Sequence, residues 1–364
     1  MKKLALIVLT LCVPVLAWAA TPAGLSASPQ WIGTAHDSVF ALARRGDELW
    51  AATNFGLLLK RHSEPQWQTA YETHGAAVLA IGFSPQGNGV AAGQSGLLLE
   101  VPPNSTQWKA DNTGVKHRLM WVASNSRGDF LVVGAFGTVL YRPAGGTQWQ
   151  KLAVPSSEGE EPHLYGAIFV SDDEALIVGE NETLIDFDKG KIAQKVELGQ
   201  PPKSAKPSGS DQGSEQSQEV VTPSLFAVTY CDGMLVAAGQ RGLVLTKTLA
   251  AESKATPKTG RQAGKHAKAE QATGLLAGWQ SSEIKGQHDV YGLVCTPTGA
   301  LVGVSNNGAI ISGTRQANGG IDWQVLYAKG LYAPWLSAAL PAGDDDFLVA
   351  GPGTIWEVSS SNGK

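Results

Sequence analysis

LMWVASNSRGDFLVVGAFGTVLYR, residues 119–142, holds three short apolar runs, with a polar turn between the first two and a glycine-bearing hairpin, Phe136-Gly137, before the third. Runs of that length, rich in Val, Leu and aromatic residues and bounded by Gly, Asn and Asp, predict strands. The phrase recurs upstream as VFALARRGDELWAATNFGLLLK from Val39 and VLAIGFSPQGNGVAAGQSGLLLE from Val78. The hairpin glycine falls at Gly56, Gly96 and Gly137, a period of 40 and then 41 residues. That spacing is one four-stranded propeller blade.

Downstream the pattern continues from Leu164, Leu225, Val290 and Trp335, which makes seven repeats. Trp67, Trp108, Trp149, Trp279 and Trp323 mark a fourth strand after five of them, where a large ring can wedge between neighbouring sheets. The seventh repeat stops near Val358 without a fourth strand, and SPQWIG around Trp31 precedes the first repeat without a sheet of its own. The expected fold is therefore an all-β, seven-bladed propeller of four-stranded antiparallel blades, closed by an N-terminal strand that removes the open sheet edges. Tight hairpins need positive φ, which glycine adopts without strain. Blade four has Glu182 where that glycine belongs, so its turn is expected to be distorted.

Lys2 and Lys3, an apolar run to Leu16, and Ala17-Trp18-Ala19 follow the order of a secretory signal peptide, which assigns 1–19 to a cleaved leader and 20–364 to one propeller. The mature chain is then expected in the periplasm or secreted, with no membrane span. Segments 199–223 and 248–274 break the period, are poor in large apolar residues and read as flexible insertions. The formal net charge of −4, more negative still once both leader lysines are lost, argues against nucleic acid as a partner. Cys231 and Cys295 remain after cleavage. They fall at near-equivalent places on neighbouring blades, where the Cα separation can exceed disulfide geometry. A bond and two half-buried thiols both stay open.

Loops that lead into the first strands and hairpins between second and third strands share one face of a propeller. That face gathers His36, His74, His117, His163 and His288, a candidate channel-mouth cluster for a small ligand or metal, although no pair has spacing specific to a metal site. It also collects Phe55, Phe136, Arg118, Arg241, Tyr332 and Trp335, residue types that dominate protein interfaces. The other face collects acidic turns at Asp47-Glu48, Asp172-Asp173-Glu174 and Asp344-Asp345-Asp346, explained by Asp as a turn former in solvent. No nucleophile elbow, zinc helix or phosphate loop is found, so no catalytic residue is nominated and no cofactor is expected.

VVGAFGTVLYRPAGGTQW, residues 132–149, and VAAGQSGLLLEVPPNSTQW, residues 90–108, resemble the repeat of the photosystem II stability and assembly factor family. The repeat is also similar to that of bacterial neuraminidases, whose turn aspartate is missing from Pro143-Ala144-Gly145-Gly146. The first resemblance implies a bacterial secreted member of a non-catalytic scaffold class. Its partner would be an envelope membrane protein or its assembly intermediate, an exporter among the candidates. The second implies a competing reading, a sialidase-type glycoside hydrolase using Arg118, Arg241, Tyr165 and Tyr291. The two tyrosines lie within first strands, where core packing accounts for them.

Overall fold

The structure, a computed structural model, describes residues 24–360 apart from 35, 63–65, 156–160, 199–221, 250–273, 317–318 and 345. The signal-peptide assignment and most of both insertions lie outside the described residues. Among the described residues 28 strands form seven four-stranded antiparallel sheets. Each first strand packs against the first strands of both neighbouring blades, and that of blade seven packs against that of blade one, so the ring is closed.

The second strand of each blade is buried throughout or nearly so, because sheets stack against both of its faces. That burial explains unbroken apolar runs such as LVVG and LIVG, where a half-exposed strand would alternate. Six first strands begin at Val39, Val78, Leu119, Leu164, Leu225 and Val290, each fully buried. Blade seven differs: its first strand is Ala338–Pro341, and fully buried Leu336 stands at the place those six occupy. Many second strands end on glycine because nothing larger fits. A Cβ at Gly93 would strike the carbonyl of Ala77, and one at Gly239 the carbonyl of Ser224.

Leu25–Trp31 pairs along its whole length with Thr354–Ser360, giving blade seven its outer strand. Side chains secure the seam with blade one. Arg61 binds Glu357 at 2.6 Å and stacks on Trp67, whose Nε1 donates to Gln30 at 2.8 Å. The arrangement repeats between blades three and two, where Arg142 pairs with Glu100 and stacks on Trp149, whose Nε1 also donates to Glu100. Trp67 and Trp149 thus act as wedges that carry a polar handle into the neighbouring sheet.

One open alternative is decided and one expectation is corrected. Cys231 and Cys295 form a disulfide with Cα atoms 5.4 Å apart. Both close first strands, and first strands lie side by side around the axis, so equivalent positions on blades five and six are near enough to bond. The blade-four turn is not distorted. Asn181 and Glu182 take φ values of 56° and 52°, close to Arg241-Gly242 in blade five, and the Glu182 N–H is bonded to the Pro223 carbonyl. Left-handed backbone at a non-glycine costs about 1–2 kcal/mol, which the surrounding hairpin absorbs.

Candidate functional site

Because strands alternate in direction, every first strand starts on the face that carries the hairpins between second and third strands, here called the upper face. In six blades the pairing of first with second strand skips one residue, leaving Phe40, Leu79, Met120, Tyr165, Phe226 and Tyr291 as bulges. A bulge re-aims a side chain that the ladder would otherwise hold. All six line a cavity of about 950 Å³ at the upper end of the central channel. Tyr165 meets Phe226 edge-on at 5.2 Å, Phe226 stacks on Tyr291 at 5.6 Å, and Phe40 lies 6.0 Å from Trp335. The bulge residues are therefore aromatic on blades one, four, five and six, with Trp335 entering blade seven, and Leu79 and Met120 on blades two and three.

This corrects the assignment of Tyr165 and Tyr291 to plain core packing: both are half-buried and line the cavity. Burial, with Glu180 beside Tyr165 and Asp289 beside Tyr291, raises both phenols above the usual tyrosine range. They stay protonated at neutral pH, which suits a wall better than a nucleophile. The bulge positions had a sequence signal that went unused: the second residue of each of those six repeats is large and apolar.

Of the interface residues expected from the sequence, Arg118 and Trp335 line the cavity, while Phe55, Phe136 and Tyr332 stand outside it on the upper face, 42%, 53% and 88% exposed. Arg241 sits at the tip of the blade-five hairpin, its backbone N–H held by Asp289 at 2.8 Å. Trp31, Leu198 and Tyr327, at the upper ends of outer strands, add to the exposed apolar set. Six of the seven large hydrophobic side chains exposed among the described residues thus share this face, and Tyr230 alone points from the other.

The histidines do not form one cluster. His117 and His163 flank Phe136, their rings 5.0 and 4.8 Å from its centroid. His163 Nδ1 accepts the Phe136 N–H at 3.1 Å, which puts the proton of the neutral ring on Nε2. His288 Nδ1 lies 3.3 Å from Asn306, His74 faces Glu72 at 3.8 Å, and the His36 backbone N–H donates to Thr34. Among the described residues no group of three His, Cys, Asp or Glu is placed to hold a metal ion, and no helix is long and apolar enough to cross a membrane.

The lower face is tied together by side chains. Buried Asp129 accepts from Asn125, Arg127, Tyr141 and the Ala144 N–H. Burial alone would raise its carboxyl, but the bonds from Ala144, Asn125 and Arg127 outweigh burial and hold it below the usual carboxylate range. Arg127 reaches across to Asp173 at 2.6 Å and Ser126 to Asp172 at 2.5 Å. The Asp172-Asp173 turn thus clasps the neighbouring blade and is not simply solvated.

Fold and face together define a seven-bladed β-propeller whose apolar, half-open channel mouth and exposed aromatics share one side. No family model matches the chain, and no curated protein sequence does. Among solved structures it is similar to YCF48 bound to D1 peptide, at 12% identity over 97% of this chain and 100% of that one, TM-score 0.60. It is also similar to the WD40 propeller domain of Doa1, at 13% identity over 93% and 98%, TM-score 0.65. A third is a catalytically inactive virginiamycin B lyase from Staphylococcus aureus with quinupristin, at 9% identity over 92% and 99%, TM-score 0.64. At such identities the likeness is one of fold.

Proposed function

We propose that this chain is a non-catalytic, periplasmic propeller scaffold that binds a protein partner through its upper face and assists the assembly or stability of an envelope membrane protein complex, an exporter among the candidates. One observation carries the reading: among the described residues, six of seven exposed large hydrophobic side chains collect on the face that holds the apolar channel mouth. Exposed apolar side chains gathered on a rigid surface mark interaction sites, and aromatic residues supply most of the energy at protein interfaces. A propeller of similar fold that carries a peptide, YCF48, supports the same reading.

Affinity capture from detergent-solubilised envelope membranes tests it, comparing the wild-type chain with a Phe55→Ala, Phe136→Ala, Arg241→Ala variant of verified fold. Recovery of one membrane complex by the wild type and its loss by the variant is the expected result. Equal recovery by both moves the interface off these residues, and recovery of nothing removes the scaffold reading. Osmotic-shock fractionation with N-terminal sequencing checks the compartment: a periplasmic chain that begins at Ala20 is expected.

A further inference from the structure

The cavity at the channel mouth is lined by 25 residues, and Arg118 is the single charged one among them. The same lining holds Met120, Leu79, the aromatic arc Tyr165, Phe226 and Tyr291, and Trp335. No ion pair joins Arg118 to a carboxylate among the described residues. Of the Asn, Gln and Ser side chains in the wall, Asn54 is bonded to the His36 carbonyl and the Ser38 N–H, Asn306 to Ser305 and His288, and Ser337 to the Val39 and Ala350 carbonyls, which leaves Gln94 as a second donor besides Arg118. Arg118 is exposed, and its guanidinium is a fork of donors that matches a carboxylate in geometry and in charge. Glu180 lies near Tyr165, and Asp289 accepts from the Tyr291 hydroxyl at 3.4 Å, so with one cation and two carboxylates close by a monoanion is favoured over a dianion. The wall around it buries an apolar body, and aromatic faces at 5–6 Å spacing favour a planar one. Pockets for small organic molecules run from about 300 to 1,000 Å³ with few, placed polar groups, and this cavity falls in that class.

We propose that the channel mouth binds a small organic monocarboxylate with a planar or branched apolar body, its carboxylate on Arg118 and its body against the Tyr165–Phe226–Tyr291 arc. The site shares Arg118 and Trp335 with the residues expected at a protein interface, but the rim residues Phe55, Phe136 and Tyr332, and Arg241, stand outside the cavity. Either reading can fail without the other.

Isothermal titration calorimetry of the purified chain with 2-naphthoate and its neutral counterpart 2-naphthamide tests the assignment, with Trp335 fluorescence as a second readout. Saturable 1:1 binding is expected, with the acid about tenfold tighter than the amide, the size of a charged hydrogen-bonded contact. Arg118→Met should bring the acid down to the amide's affinity, and Arg118→Lys should restore part of the difference. Phe226→Ala should weaken both probes about equally. Arg118 is exposed, so its variants are expected to fold, and unchanged melting temperatures verify that they do. Equal affinity for acid and amide in the wild type, an acid preference that survives Arg118→Met, or no saturable binding of either probe overturns the proposal. A polypeptide as the true occupant would show as loss of membrane-complex capture in Arg118→Met with no naphthoate binding in the wild type, which also overturns it.

Discussion

The two faces of the ring join blade to blade by different means. On the lower face the joints are largely side chains: Arg45 to the Ser105 and Pro102 carbonyls, Gln86 to Ser126, Arg127 to Asp173, the Cys231–Cys295 bond, and Arg44 to Pro341. On the upper face the hairpins are held by their backbone N–H groups: Phe136 to His163, Gly137 to Pro162, Glu182 to Pro223, Arg241 to Asp289 and Asn307 to Pro334. An anchor of this kind uses the backbone and does not require the side chain. Phe136 shows this: its backbone is fixed in the left-handed region while its ring stands half in solvent. One face thus holds the ring together with its side chains, and the other keeps many of its own for contact with something else.

Breaking the lower face should cost stability and leave binding intact. The largest effect is expected from Cys231→Ser with Cys295→Ser: closing a loop across a separation of 64 residues contributes about 4 kcal/mol by loop entropy. Urea unfolding measures it, and a change under about 1 kcal/mol would show that the bond constrains little. Asp129→Ala comes next at about 3 kcal/mol, from several buried hydrogen bonds lost at once. Its sign with pH is fixed. The folded carboxyl titrates below its ordinary value, so its stabilisation is present above the unfolded pKa and is lost as pH falls through the folded one. The gap between wild type and variant should therefore be full at pH 7 and narrow in acid below about pH 4. A gap that widened in acid would contradict the network. The smallest effect on stability is expected from Phe136→Ala, within about 0.5 kcal/mol as for other exposed positions. A loss of 2 kcal/mol there would mean that the ring between His117 and His163 is structural and would blur the contrast between the faces.

Much of the fold was legible because its period is physical. Val39, Val78, Leu119, Leu164, Leu225 and Val290 start strands where the sequence placed them, since each is a fully buried position that tolerates only a branched apolar side chain. The closing strand was legible for a similar reason: an unpaired strand at one end and a sheet short of a strand at the other leave few arrangements without exposed edges. The site was less legible. Seven repeats place Phe55 and Phe136 on one face, but whether the second residue of a first strand looks into the channel or into the sheet depends on a bulge, which alters register by one residue without changing composition. The histidines were misleading because sharing a face fixes the side of the ring and not the distance around it. The disulfide was undervalued for the converse reason, since equivalent positions on adjacent blades lie apart at the rim and close together at the axis.

Ser26 and Ser359 face each other across the closing sheet, 333 positions apart in the chain. Strand partners at such separation are the slowest to meet, and here the earliest strand of the fold can find its mate only when the last one has emerged. Until then six sheets can form, but the seventh lacks its outer strand and the ring has an open seam. Closure therefore needs both ends of the propeller at once, and without Thr354–Ser360 the strand Leu25–Trp31 has no partner in the ring.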